Sequence, residues 1–212
     1  MLYENQRRRL VEELTRLGIQ DRRVLEAFAK VPRHLFVPEA LGGQAYSNSS
    51  LPIGEGQTIS APSTVARMLE LLCLAGTESV LEVGTGSGYQ AALLSRLAAR
   101  VFTIERIENL ARQARRVLDK LDIYNVNIRV GDGTLGWSRY QPYEAIVVAA
   151  VGPEPPQVLV EQLAAGGRMA MPLGNTEGAQ LVVIRKSKRG VERKVFDPCR
   201  FVPLIGKDAR HK

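Results

Sequence analysis

A run of glycines and a set of acidic residues are the first candidates for chemistry in this sequence. In Leu81-Glu82-Val83-Gly84-Thr85-Gly86-Ser87-Gly88-Tyr89-Gln90 the glycines stand between a stretch that reads as a strand and one that reads as a helix. Glycine lacks a Cβ, so such a loop turns tightly and lets its backbone approach a ligand. The helix behind it offers N–H groups with no partner inside the helix. Glu105 ends the second strand of the series, and Asp132 follows the third within Gly131-Asp132-Gly133. With Glu82 these acids gather at the carboxyl ends of strands, where parallel sheets bind ligands. A glycine loop alone is equally a plain turn, Glu105 a helix cap or surface acid, and Asp-Gly an ordinary turn. The combination narrows the chemistry.

Spacing narrows it further. The dinucleotide fingerprint is G-x-G-x-x-G, whereas here the pattern is G-x-G-x-G. No Gly-Lys-Ser/Thr follows, which disfavours a phosphate-cradling loop. Ser87 does not sit in G-x-S-x-G, the setting of a hydrolase nucleophile. An acid at Glu82 suits a cationic ligand better than a pyrophosphate, and S-adenosylmethionine carries both a sulfonium and an ammonium group. In that reading Gly84, Thr85, Gly86, Ser87 and Gly88 form the cofactor loop. Glu105 accepts hydrogen bonds from the ribose hydroxyls, Asp132 accepts the adenine amino proton, and Gly133 admits the flat ring.

The surrounding elements can position these groups. Leu10, Leu14 and Leu17 recur at helical spacing and stop at Gly18, a residue suited to a helix C-terminus. Asp21 is placed to cap a second helix bearing Val24, Leu25 and Phe28, ending before Pro32. Val31 to Pro62 lacks clear periodicity; a loop this long that keeps apolar residues reads as functional. A helix follows from Ser63. Then strands at Ser79–Val83, Val101–Glu105, Asn127–Val130 and Ala145–Ala150 alternate with helices at Gln90–Leu97, Glu108–Lys120 and Gln157–Leu163. The last helix is expected to end at Gly166-Gly167, with a strand from Arg168 and a hairpin of Leu181–Arg185 and Val191–Phe196. Successive βα units imply an α/β, Rossmann-like, doubly wound and mainly parallel sheet. N-terminal helices and late antiparallel strands are added to it.

Composition sets the outer limits. With 212 residues, 45% apolar and 24% charged, one packed domain is expected. Within it, residues 1–78 form N-terminal helices and a covering segment, 79–172 the cofactor-binding core, and 173–212 the C-terminal strands. The arginine-rich start has no apolar region behind it, so no signal peptide is expected. No apolar run approaches the ~20 residues of a membrane-spanning helix. Cys73 and Cys199 form no CxxC pair, in keeping with two buried thiols in a reducing cytoplasm. His34 and His211 are the only histidines, too few for histidine-based metal spacing; His34 reads as structural. The net charge of +7 is dispersed along the chain, which reads as a solvated surface rather than a nucleic-acid footprint. A monomer acting on protein or peptide substrates is expected.

Several longer motifs resemble the protein-L-isoaspartate O-methyltransferases over nearly the whole chain. They are Val31-Pro32-Arg33 with Phe36-Val37-Pro38, and Leu51-Pro52-Ile53-Gly54-Glu55-Gly56-Gln57-Thr58-Ile59-Ser60. Val80 to Gln90, Gly131-Asp132-Gly133 with Gly136-Trp137, Pro142-Tyr143-Glu144-Ala145-Ile146 and Arg200-Phe201-Val202-Pro203-Leu204 continue the match. Gly56 to Ser60 is the most specific stretch, because it lies outside the generic cofactor fold. Glu144 departs from the Asp that the family commonly carries.

The resemblance implies a class I fold that moves a methyl from S-adenosylmethionine to the α-carboxylate of isoaspartyl residues, leaving S-adenosylhomocysteine. It assigns the active-site position to Ser60, a cofactor-covering role to Gln57, Thr58 and Ile59, and substrate contacts to Phe201 and Val202. As a covalent nucleophile Ser60 lacks a histidine base, so alignment of an ionised carboxylate is the expected chemistry. Strand-like pairing of Phe201 to Pro203 with an extended substrate is a further expectation. An RNA or small-molecule methyltransferase, and a non-catalytic cofactor-binding module, are the competing readings.

Overall fold

The computed structural model describes residues 2–209. Met1 and residues 210–212, His211 among them, lie outside the described residues, as does the side chain of Leu2. Helix α1 (Leu2–Arg16) buries Leu10 and Leu14. Leu17, expected on the same apolar stripe, lies past the helix end and is 56% exposed. Helix α2 (Arg22–Lys30) starts where Asp21 accepts hydrogen bonds from the amides of Arg23 and Val24, satisfying two orphan donors of its first turn.

The long aperiodic segment is built, not open. Single 3₁₀ turns at Arg33–Phe36 and Glu39–Gln44 lead into a hairpin of β1 (Leu51–Gly54) and β2 (Gln57–Ile59). Leu51, Ile53 and Ile59 point inward. The tip is tied down by Asn109, which donates to the Glu55 carboxylate at 2.9 Å. Helix α3 (Pro62–Leu71) follows directly, with Pro62 at its first position, where a missing N–H costs nothing.

The sheet then runs through β3 (Ser79–Val83), α4 (Tyr89–Leu94), β4 (Arg100–Glu105), α5 (Glu108–Lys120), β5 (Val126–Val130), β6 (Tyr143–Val148), α6 (Gln157–Gln162) and β7 (Leu163–Gly174). Strands β8 (Ala179–Ser187) and β9 (Gly190–Cys199) complete it. Strand order is β5-β4-β3-β6-β7-β8-β9. The pairs from β5 to β7 are parallel, and β7–β8 and β8–β9 are antiparallel. From β3 the chain steps outward to β4 and β5, then crosses back to β6 on the other side. That reversal opens a crevice at the carboxyl ends of β3 and β6.

One sequence expectation is corrected at α6. The helix does not run to Gly166-Gly167 but stops at Gln162, and β7 begins at once. Tyr143 pairs with Leu163 and Ala145 with Arg168, so residues 164 to 167 bulge from the ladder. Gly166 supplies the positive φ of 83° that this needs. Alternation along the strands sorts the core. Val80, Val101, Ala145 and Val147 pack toward α1 to α5, while Leu81, Phe102, Ile146 and Met169 face α6. Glu144, the departure from the family pattern, uses its carboxylate to accept the Ser79 amide at 2.8 Å, at the entry to β3.

Candidate active site

The crevice holds a cleft of ≈ 840 Å³, counting its open mouth. Its floor is the loop between β3 and α4. Gly88 has φ +87°, and a Cβ there would lie 3.0 Å from Ala114 of α5. Any other residue would strain the backbone and crowd Ala114 by a few tenths of an ångström. Gly84, Thr85, Gly86 and Ser87 line the cleft, whereas Gly88 packs behind it.

Glu105 sits at the end of β4 and lines the cleft. One carboxylate oxygen accepts the Gly86 amide at 2.8 Å and the other the Ile107 amide at 3.0 Å. The acid thereby shapes the glycine loop, and each oxygen keeps a second lone pair for a ligand.

Glu82 is not on the cleft wall. It lies beneath it, 0% exposed, and one of its oxygens accepts the Thr103 hydroxyl at 2.6 Å. Thr103 and Thr85 hydroxyls meet at 2.6 Å, so the network reaches the loop. Burial pushes the Glu82 carboxyl up to about 8, with Thr103 opposing and Glu105 adding to the rise. A group held largely neutral at pH 7 is not the fixed anion that its position in the sequence implies.

Asp132 is likewise beside the cleft rather than in its wall. One oxygen accepts the Thr134 amide and hydroxyl, at 2.9 and 2.6 Å, and the other accepts the Lys207 amide at 2.7 Å. Burial alone would raise its pKa, but these hydrogen bonds outweigh burial and lower it. Gly133 does line the cleft, and a Cβ there would lie 2.5 Å from Val83 Cγ1.

The opposite wall comes from the hairpin and the C-terminal segment. Gln57, Thr58, Ile59 and Ser60 face the cleft. Ser60 does not cap α3: the N-cap position is Ala61, and Asn48 accepts the Ser63 amide at 2.9 Å. The Ser60 carbonyl instead accepts a 2.9 Å hydrogen bond from buried Arg33. Val202 lines the cleft, while Phe201 turns into the core. One edge of this segment is already paired within the chain. The Val151 amide donates to the Val202 carbonyl at 2.9 Å, and the Leu204 amide donates to the Val151 carbonyl at 2.8 Å.

Other residues of the cleft escaped the sequence reading. Ala149 and Ala150 follow β6, and Arg106 follows Glu105; the strand-end rule applied to every strand finds them. Tyr89 and Gln90 open α4, and Leu204 and Ile205 extend the Val202 edge. His34 stays outside the cleft, stacked on Tyr3 at 4.0 Å and 2.8 Å from the Tyr46 hydroxyl.

The cleft's polar atoms fit a nucleoside ligand, since each Glu105 oxygen keeps a lone pair for its hydroxyls. Deeper down, buried polar groups face one another, the Glu82 carboxyl the Gln90 amide and the Tyr89 hydroxyl the Arg33 guanidinium. Among the described residues no group of three or more His, Cys, Asp or Glu is arranged to hold a metal ion. No helix among them is long and apolar enough to cross a membrane.

Comparison with known proteins gives one answer. Residues 5–209 match the family model for protein-L-isoaspartate(D-aspartate) O-methyltransferase. A Geobacter metallireducens protein-L-isoaspartate O-methyltransferase is 54% identical over 98% of this chain and 97% of its own length. A Geotalea uraniireducens protein-L-isoaspartate O-methyltransferase 2 is 55% identical over 95% and 94%. A solved protein-L-isoaspartate O-methyltransferase superposes with a TM-score of 0.85 at 28% identity, covering 96% of this chain and 67% of that one. A solved Plasmodium falciparum chain in complex with S-adenosyl-L-homocysteine gives 0.80 at 25% identity over 96% and 98%. With the glycine loop, Glu105 and the Ser60 hairpin converging on one cleft, this chain belongs to the protein-L-isoaspartate(D-aspartate) O-methyltransferase family.

Proposed function

We propose that this protein methylates the free α-carboxylate of L-isoaspartyl residues in damaged proteins and peptides, using S-adenosylmethionine. The observation that carries the reading is the cleft itself, whose one wall is the glycine loop with Glu105 and whose other wall is the Ser60 hairpin with Val202. When bound, the cofactor supplies a methyl group made electrophilic by its sulfonium.

In this reading Glu105 keeps the glycine loop open while its remaining lone pairs take the ribose hydroxyls. Gly133 leaves flat space between β3 and the C-terminal segment for the adenine, and Gln57 to Ile59 cover the cofactor. Asp132 serves that subsite indirectly, by holding the segment that carries Val202 to Ile205. Gln90 lines the cleft at the amino-acid end, with Glu82 behind it. Ser60 orients the acceptor carboxylate, and Val202, with the backbone of Phe201 whose side chain is in the core, sets the edge along which the substrate lies.

No general base is required. A carboxylate of pKa ~4 is already ionised at neutral pH. Alignment and exclusion of water then supply the rate, and well-oriented reactants gain roughly 7–11 kcal/mol. The ester carbonyl is next attacked by the neighbouring main-chain nitrogen, methanol leaves, and the resulting succinimide opens in water to return some aspartate. The described residues act as one methyltransferase domain, with residues up to 78 covering the core and those beyond 172 extending the sheet. A cytoplasmic location accords with the free thiols of Cys73 and Cys199, of which Cys73 is exposed and Cys199 half-buried rather than both buried, and a monomer belongs to the same reading.

The test is base-labile methyl incorporation from labelled cofactor into paired peptides differing only in isoaspartate or aspartate. Labelling of the isoaspartyl peptide alone is expected. Labelling of neither peptide by a protein that binds the cofactor would move the search to RNA and small-molecule acceptors.

A further inference from the structure

Arg33 is 0% exposed, a rare position for an arginine unless its charge is paired. Among the described residues its partners are carbonyls rather than a carboxylate. Nε donates to Ala45 at 2.8 Å, and Nη2 donates to Ser60 at 2.9 Å and to Ser49 at 3.4 Å. The guanidinium also lies over the ring of Tyr89, 4.8 Å from its centre. Phe28 and Phe36 hold that ring edge-on, at 6.0 and 5.5 Å.

These partners belong to different parts of the site. Tyr89 opens α4 directly behind the glycine loop and lines the cleft. Ala45 and Ser49 bracket the approach to the hairpin, and Ser60 closes it. A single planar cation therefore joins the cofactor wall to the acceptor wall. Burial pulls the Arg33 pKa down, and the Tyr89 hydroxyl beside it offsets part of that fall. An apolar residue would fill the same volume without the desolvation cost of a charge. Lysine, a point charge on a flexible stem, cannot offer donors in a fixed planar fork.

We propose that Arg33 is a positioning residue for methyl transfer, setting the Ser60 backbone against α4 so that acceptor and cofactor meet in line. The proposal rests on reading Ser60 as the acceptor-side contact. Its test measures turnover on an isoaspartyl peptide, KM for that peptide, and Kd for S-adenosylhomocysteine, in R33K, R33Q, S60A and R33K/S60A.

Leaving a buried carbonyl unsatisfied is expected to lower kcat by about tenfold or more in both Arg33 variants. Kd for S-adenosylhomocysteine should stay within about threefold, because the glycine loop and Glu105 are untouched. Acting through Ser60 makes the losses overlap, so the double variant should fall no more than about twofold below the slower single one. Gln carries no charge to bury, so R33Q supplies the comparison where R33K does not fold.

Turnover at the wild-type level, a loss of cofactor affinity parallel to the loss of kcat, or losses that multiply in the double variant would each overturn the proposal. Loss of the fold in both Arg33 variants would also overturn it, showing a staple of the fold instead. Full turnover in S60A alone would remove the hydroxyl from the reading of Ser60. Arg33 would then be judged on its kcat against its cofactor Kd.

Discussion

Thr103 donates a 2.6 Å hydrogen bond to Glu82, its register partner across β3 and β4. Together they form a buried polar layer under the glycine loop, and Glu82 titrates far from its ordinary range. Between the ordinary value of 4.5 and about 8 the folded protein holds a proton that the unfolded chain has released. Stability therefore falls as pH rises through that window. Glu82→Gln removes the titration and keeps an acceptor for Thr103. Measured without cofactor, the variant should gain stability relative to wild type between pH 5 and pH 8, on the order of a few kcal/mol. Parallel stability-against-pH curves for the two proteins would contradict the assignment.

Glu105 organises the loop through the amides of Gly86 and Ile107. Glu105→Gln keeps the shape but turns one acceptor into a donor facing an N–H. Losing a charge-assisted hydrogen bond of about 1.5–3 kcal/mol should raise the Kd for S-adenosylhomocysteine by about tenfold to a hundredfold. Calorimetric titration reads this directly, and an unchanged Kd would exclude the loop-shaping role.

Asp132 fastens the C-terminal segment by accepting the Lys207 amide, while Thr134 Oγ accepts the Asp208 amide at 3.1 Å. Asp132→Asn should cost about 1–3 kcal/mol of local stability. Amide exchange at Lys207 and Asp208 should accelerate accordingly. Because the folded pKa is depressed below 3.8, the wild-type contribution is complete above the ordinary aspartate value. It is lost as pH falls through the depressed one. Exchange at these amides that does not respond to the substitution would release Asp132 from this role.

Gly133 has no positive φ, so space alone decides what can replace it. A Cβ would sit 2.5 Å from Val83 Cγ1, forcing β3 and the loop apart. Gly133→Ala should lower stability by about 1–3 kcal/mol, read as a shifted denaturant midpoint. A midpoint equal to wild type would show that the neighbours yield freely.

The parts of the fold legible in the sequence are those whose pattern is local and periodic. Helix α5 and strand β3 run as their spacing predicts, Glu108–Lys120 and Ser79–Val83. The hairpin of β1 and β2 was hidden because its strands are short and its turn is irregular. Glu55, a non-glycine residue, takes φ +55° there. The bulge after Leu163 was hidden by glycines that read as a helix end. In the site, the glycine loop and Glu105 could be found from spacing, whereas the hydrogen bonds of Asp132 could not. Lys207, which it holds, is 75 residues away in sequence.

By itself the sequence determined the alternation of strands and helices, the parallel core, and the placing of glycines and acids at strand ends. These follow from side-chain periodicity and from backbone freedom at single residues. Only the tertiary structure decided that β8 lies beside β7 and leaves β9 at the edge. It also turned Asp132 toward the C-terminal segment, neutralised Glu82 by burial, and drew Arg33 out of solvent to join Ser60 with Tyr89. Each of these outcomes depends on which distant segments meet and on how much water their meeting excludes, and neither quantity is carried by local pattern.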